Sequence, residues 1–174
     1  AMGGENSPEK TIKGVGIFLK KNRSADDFTL KLFGDIDKIE KNIFKFNIDK
    51  KNLELIHATS TVSDEESPLT AIKNSRNTSM WKCINSQLDG SSNISLSAGN
   101  TGVLLVISKM ILKMIKKVNR PALAGLWPNL KGLNVVLDLG ANIECNEDNL
   151  VDFSELGSAL YKSLFPNEKP VVSL

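Results

Sequence analysis

Ser97-Ala98-Gly99-Asn100-Thr101-Gly102 is the stretch whose reading decides the fold class. It follows the short run of residues 93–96, which reads as a strand, and opens the long apolar segment of residues 103–118, which reads as a helix. A strand that enters a glycine turn and leaves as a helix is how α/β proteins present backbone N–H groups to an anion. Glycine lets the backbone approach closely, the first helical N–H groups have no partner within the helix, and the helix dipole adds positive potential there. Thr101 is the expected cap, with Ser97 and Asn100 as side-chain donors. The stretch lacks the Gly-Lys-Ser/Thr ending of a P-loop and the spacing of a dinucleotide fingerprint. An ordinary strand–helix turn is the alternative reading.

Outward from this turn, strands and helices alternate. Ser7 reads as the cap of a first helix, with Pro8 at its first position and Ile12, Val15, Ile17, Phe18 and Leu19 on its apolar face. Residues 28–33 read as a strand, and residues 36–46 as a helix with Ile36, Ile39, Ile43 and Phe44 at helical spacing. Residues 53–57 form the next strand. Pro68 opens a helix carrying Lys73 and Arg76, and residues 79–88 form another with Trp81, Ile84 and Leu88 toward the core. Beyond the Pro121 breaker, residues 122–127 and 133–137 read as a hairpin that puts an antiparallel element in the sheet. Asn146 caps a last helix whose buried face carries Leu150, Phe153, Leu156, Leu160 and Leu164. The expected architecture is a three-layer α/β/α arrangement around a mostly parallel sheet, in a single domain over residues 1–174. The ends, Ala1-Met2-Gly3-Gly4 and Pro170-Val171-Val172-Ser173-Leu174, read as those of a piece truncated on both sides.

Composition bounds the function. The 174 residues carry a net charge of +2, with 41% hydrophobic and 24% charged residues, which is ordinary for a globular domain and points to no nucleic-acid partner. Lysines interrupt residues 103–118, so that segment is too charged to span a bilayer. Cys83 and Cys145 have no metal-ligand spacing with the only histidine, His57, so no metal is expected, and a reducing cytosol is the simplest compartment.

In open α/β sheets, ligands bind beyond the carboxyl ends of the strands. Gly34-Asp35, His57, residues 97–102 and Asp138-Leu139-Gly140-Ala141-Asn142 all fall at expected strand ends, and are therefore expected to share a crevice. These polar groups include no complete nucleophile–base pair, which points to anion binding and positioning. His57 is a weaker candidate for a base. Lys73 and Arg76, about one helical turn apart, are weaker candidates for gripping a phosphate; solvated helix charge is the alternative for both. Lys113, Lys116, Lys117 and Arg120 form a basic cluster that a solvated helix end equally explains.

Several segments together resemble the bacterial phosphate acyltransferases of the PlsX type. They are Ala1-Met2-Gly3-Gly4 with Asn6 and Pro8; Ser67-Pro68, Ala71 and Ser79-Met80; and Ser97-Ala98-Gly99-Asn100-Thr101-Gly102. Arg120-Pro121-Ala122-Leu123-Ala124 follows, then Asp138 with Gly140-Ala141-Asn142 and Cys145, and Gly157-Ser158 with Tyr161. They run the length of the chain and resemble the N-terminal half of that family. Glu5 stands where the family carries Asp, and the family's basic cluster is thinned to Lys73 and Arg76.

The resemblance implies transfer of a fatty acyl group from acyl carrier protein to inorganic phosphate, giving an acyl phosphate for phospholipid synthesis. It also implies a cytoplasmic homodimer, open to peripheral membrane association, and no cofactor. The phosphate- or substrate-binding residues would be Gly3, Gly4, Ser97, Gly99, Asn100, Thr101, Gly102, Asp138 and Asn142, while the catalytic residues are not assigned. That chemistry suits the residues, because phosphate is itself the nucleophile and the protein must hold it, orient it and stabilise an oxyanion. Two alternatives stand beside it: a phosphate acetyl- or butyryltransferase using coenzyme A, and a non-catalytic anion-binding half-domain.

Overall fold

The alternating run at residues 28–33 becomes a strand, β1 (Leu30–Gly34), which pairs in parallel with β2 (Leu53–His57), Leu30 opposite Leu53 and Gly34 opposite His57. The computed structural model describes residues 1–22, 27–63, 65–130, 132–140, 142 and 144–174. They form an α/β structure of two compact units, Ala1–Leu112 and Lys113–Leu174.

In the first unit, α1 (Glu9–Lys21) and α2 (Ile36–Lys45) pack together, and Ile12, Leu32, Ile39 and Ile43 form one core between them and β1. A second core joins α3 (Pro68–Asn74), α4 (Ser79–Leu88) and α5 (Thr101–Leu112). Met80 and Ile84, then Val103, Ile107 and Ile111, recur every four residues, so each set lines one helix face. Fully burying one such side chain contributes about 1.5–3 kcal/mol.

Local signals set most helix starts. Asp35 Oδ1 accepts from Lys38 N at 3.2 Å, and that bond holds the Asp35 carboxyl below its usual pKa. Ser67 Oγ accepts from Thr70 N, with Pro68 in the first turn. Between α3 and α4 the chain makes a short 3₁₀ turn, Ser75–Asn77, and Thr78 begins α4. Buried Thr78 Oγ1 donates to Ser75 O at 2.6 Å and accepts from Trp81 N at 3.2 Å. Thr78→Val keeps the shape and removes both bonds. It is expected to lower stability by about 1–2 kcal/mol, read as a lower urea midpoint at unchanged slope; an unmoved midpoint would contradict the assignment.

In the second unit, β3 (Ala124–Asn129) and β4 (Gly132–Leu137) form the expected antiparallel hairpin, as a two-stranded sheet of their own. Helix α6 (Glu147–Leu164) packs on β4. Asn146 Oδ1 accepts from Asn149 N at 3.0 Å and Asn149 Oδ1 from Asn146 N at 3.2 Å, a reciprocal cap.

Several expectations are corrected. Residues 93–96 join no ladder among the described residues, and Ile94 and Leu96 are 81% and 84% exposed; without a paired neighbour an extended run is not a strand. The helix expected over residues 103–118 is α5, which starts earlier and stops at Leu112. Lys113 and Lys117 take left-handed backbone angles, φ +66° and +74°, which end helical hydrogen bonding. Ser7 is not the cap of α1: Pro8 holds that position, and Ser7 Oγ donates to Gly3 O instead. Phe44 and Leu88, expected on core faces, are 89% and 56% exposed, and Leu150 and Leu164 are only half covered, because the neighbouring elements cover only part of each helix.

Candidate functional site

The N-terminal glycine turn and the start of α5 meet backbone to backbone. A Cβ on Gly3 would lie 2.7 Å from Gly99 Cα, and one on Gly4, where φ is +88°, would lie 2.6 Å from Ala98 O. Nothing larger than glycine fits either position, so the glycines at 3 and 4 serve the close approach of one turn to the other. Gly99 in turn lies against Met80, and Gly102 against Pro68 at the start of α3.

Asn100, not Thr101, caps α5. Its Oδ1 accepts from Val103 N at 3.0 Å, and its Nδ2 donates to Glu66 O at 3.1 Å, tying the helix start to the loop before α3. Ser97 Oγ accepts from Gly99 N at 3.2 Å. These bonds leave the amides of Thr101 and Gly102, and the exposed Thr101 hydroxyl, with no partner among the described residues. Two free N–H groups and a hydroxyl at the positive end of a twelve-residue helix are suited to an anion. The expectation that Ser97 and Asn100 donate to a ligand meets a competing demand, since both side chains already shape the turn.

Gly3, Gly4, Ser97, Gly99, Asn100, Thr101 and Gly102 are thus brought together in the first unit. His57 stands exposed at the end of β2, where its carbonyl accepts from Lys82 Nζ at 2.7 Å. Lys73, at the end of α3, and Arg76, in the 3₁₀ turn, are exposed and make no ion pair with a described residue. The tie from Asn100 to the Glu66 carbonyl escapes sequence reading, because a backbone acceptor leaves no residue signature.

Asp138 and Asn142 belong to the second unit. Asp138, with φ +59°, follows β4 directly, and its Oδ1 accepts from Asn142 N at 3.1 Å and Nδ2 at 2.8 Å. Asn142 Nδ2 also donates to Pro121 O at 3.1 Å, so both its N–H bonds are engaged, and its Oδ1 meets no donor among the described residues. Cys145 Sγ donates to Asp138 Oδ2 at 3.4 Å. Desolvation first, then that bond and the Asp138 charge, raise the thiol pKa, opposed by Arg120. A thiol kept protonated is a poor nucleophile. The cluster is a brace around the strand-end turn; Ala141 lies outside the described residues. Among the described residues no group of His, Cys, Asp and Glu is arranged to hold a metal, and no helix is long and apolar enough to cross a membrane.

A family model described as "Fatty acid synthesis protein" matches residues 1–174. The chain is 48% identical over 174 residues to a protein named phosphate acyltransferase from Pelagibacter ubique, covering all of this chain and 51% of that protein. It is 38% identical over 176 residues to a phosphate acyltransferase of Maricaulis maris, and 34% over 174 residues to one of Paramagnetospirillum magneticum, with 49% of each covered. The chain spans about half the length of these relatives.

Proposed function

Since the chain belongs to the family of fatty acid synthesis proteins, we propose that it is part of an enzyme that transfers a fatty acyl group from acyl carrier protein to inorganic phosphate. The observation that carries this reading is the paired glycine turns at the start of α5, with the Thr101 and Gly102 amides and the Thr101 hydroxyl free beside them. The relatives' printed name, phosphate acyltransferase, supports the reaction class.

In this reading the phosphate dianion sits at the N-terminus of α5, held by those N–H groups and the Thr101 hydroxyl. One phosphate oxygen attacks the thioester carbonyl, the carbonyl electrons move to oxygen, and on collapse the C–S bond breaks. The acyl phosphate leaves, and the carrier thiolate takes up a proton. The helix dipole offsets the charge of the bound dianion, and orientation of the two substrates supplies much of the rate. Glycine at positions 3, 4 and 99 lets the two turns close to the distance that shapes this pocket. Asp138, Asn142 and Cys145 brace a second turn whose open acceptor, Asn142 Oδ1, faces no competing donor among the described residues. Lys73, Arg76 and His57 take supporting roles in attracting the anion. The proposal extends to a cytoplasmic homodimer, with access to a membrane surface where the acyl phosphate is used.

Thr101→Val in the full-length protein tests the anion site. Asn100→Ala is the less clean variant, because it also removes the helix cap and the tie to Glu66. Losing one hydrogen bond to a charged ligand corresponds to roughly a tenfold or larger rise in phosphate KM, with Thr101→Ser restoring the original value. Unchanged phosphate kinetics in Thr101→Val would sink the assignment. Supplying the acyl group on carrier protein and on coenzyme A in parallel tests the donor: faster turnover of the carrier-bound thioester is expected, and preference for coenzyme A would move the protein to the other reaction.

A further inference from the structure

We propose that the basic turn at residues 113–117 is a docking surface for a protein partner with an acidic face, and that on the reading above this partner is the acyl carrier protein. Residues 113–120 carry Lys113, Lys116, Lys117 and Arg120 and no acidic residue. A solvated helix end does not describe them, because α5 stops at Leu112. Val118 N then donates to Ile115 O at 3.2 Å, closing a turn whose two central residues are Lys116 and Lys117. Lys113 and Lys117 hold φ values of +66° and +74°, a backbone region that glycine adopts freely and lysine rarely. At position 117 this is the angle that a type II turn demands of its third residue. The turn thus keeps lysines where glycine would relax it, and Lys113, Lys116 and Lys117 are all exposed.

The charges of these lysines are also unused within the described residues. Lys10, Lys31, Lys38, Lys45 and Lys50 each reach a carboxylate at 2.7–3.5 Å, whereas Lys113, Lys116 and Lys117 pair with none. The backbone that presents them is braced. Arg120 Nη1 donates to Glu144 O at 2.6 Å, and Asn119 N donates to Asp152 Oδ2 at 3.0 Å, which ties the segment to α6 and the loop before it. Ile115, 64% exposed, stands among the lysines and offers one apolar contact.

The neighbouring charges decide between a protein and a membrane. Asp152 lies against Asn119, and Asp148, exposed, stands one turn before it on the same face of α6. A flat anionic lipid surface would meet both signs together and be repelled by these acids. A protein face of limited area can set its carboxylates against the lysines and leave the acids of α6 to solvent.

The inference rests on the carrier protein being the acyl donor, and the test separates the two. Steady-state rates of the full-length protein are compared with an acyl-carrier thioester and with the same acyl group on a small uncharged thiol. The triple variant Lys113→Glu, Lys116→Glu, Lys117→Glu is expected to raise KM for the carrier thioester roughly tenfold or more, and the matching triple glutamine variant less. In both variants kcat, the phosphate KM and the rate with the uncharged thioester should match the original protein, and the salt dependence of kcat/KM for the carrier should flatten. An unchanged KM for the carrier overturns the docking surface and leaves the donor standing, and loss of binding to anionic phospholipid vesicles alongside it assigns the lysines to a membrane. Equal losses with both thioesters, in the glutamine variant as well, overturn it too. No advantage of the carrier over the uncharged thioester in the original protein overturns the donor reading itself.

Discussion

Gly4→Ala is expected to destabilise the full-length protein by about 2–4 kcal/mol, the combined cost of a left-handed backbone angle and of forcing backbone apart. At φ +88° a side chain is strained whatever the space, and the added Cβ would lie 2.6 Å from a carbonyl oxygen, Ala98 O, that cannot rotate away. Gly3→Ala meets Gly99 Cα at 2.7 Å and is expected to act through the same contact. Because that contact shapes the start of α5, phosphate affinity should fall along with stability. Gly14 in α1 provides the internal contrast, since a Cβ there meets nothing within 4 Å. Gly14→Ala is expected to stabilise by up to about 1 kcal/mol, the helix-propensity gain of alanine over glycine. Urea midpoints of the two variants should therefore move in opposite directions; a shared direction would falsify the account of why positions 3 and 4 are glycine.

Ile107→Ala should cost about 3 kcal/mol, within the range for emptying a buried aliphatic site. Ile107 is fully buried at the middle of the α5 stripe, between Val103 and Ile111 and facing Met80 and Ile84 of α4. Three helices contribute to this core, so the cavity has no single mobile neighbour to collapse into it. Phe44→Ala removes a larger side chain that is 89% exposed and is expected to change stability by no more than about 0.5 kcal/mol. Comparable losses for the two variants would mean that the surface around Phe44 is covered in the full-length protein.

How much was legible in the sequence follows from the range of each signal. The start of α3 at Pro68, the cap of α6 at Asn146, the spans of β2 and α4, and the β3–β4 hairpin all rest on neighbours a few residues apart, and they form where the local pattern puts them. The glycine turns and the order of the family's motifs were equally readable, because glycine at such positions is a steric requirement written directly as a residue type. The cap of α5 lies at Asn100 and its end at Leu112, because Asn100 Oδ1 takes the Val103 amide and Lys113 turns left-handed, choices that neighbouring residue types leave open.

The sequence by itself therefore determined the α/β class, most of the elements and the family. The tertiary structure alone decided that Gly3 and Gly4 close on Ala98 and Gly99 and that Asn100 is committed to Val103 and Glu66. The physical reason is that these are contacts between backbone groups far apart along the chain. Local hydrogen bonding and hydrophobic periodicity act through side-chain type over a few residues, whereas such long-range approaches depend on how whole elements pack.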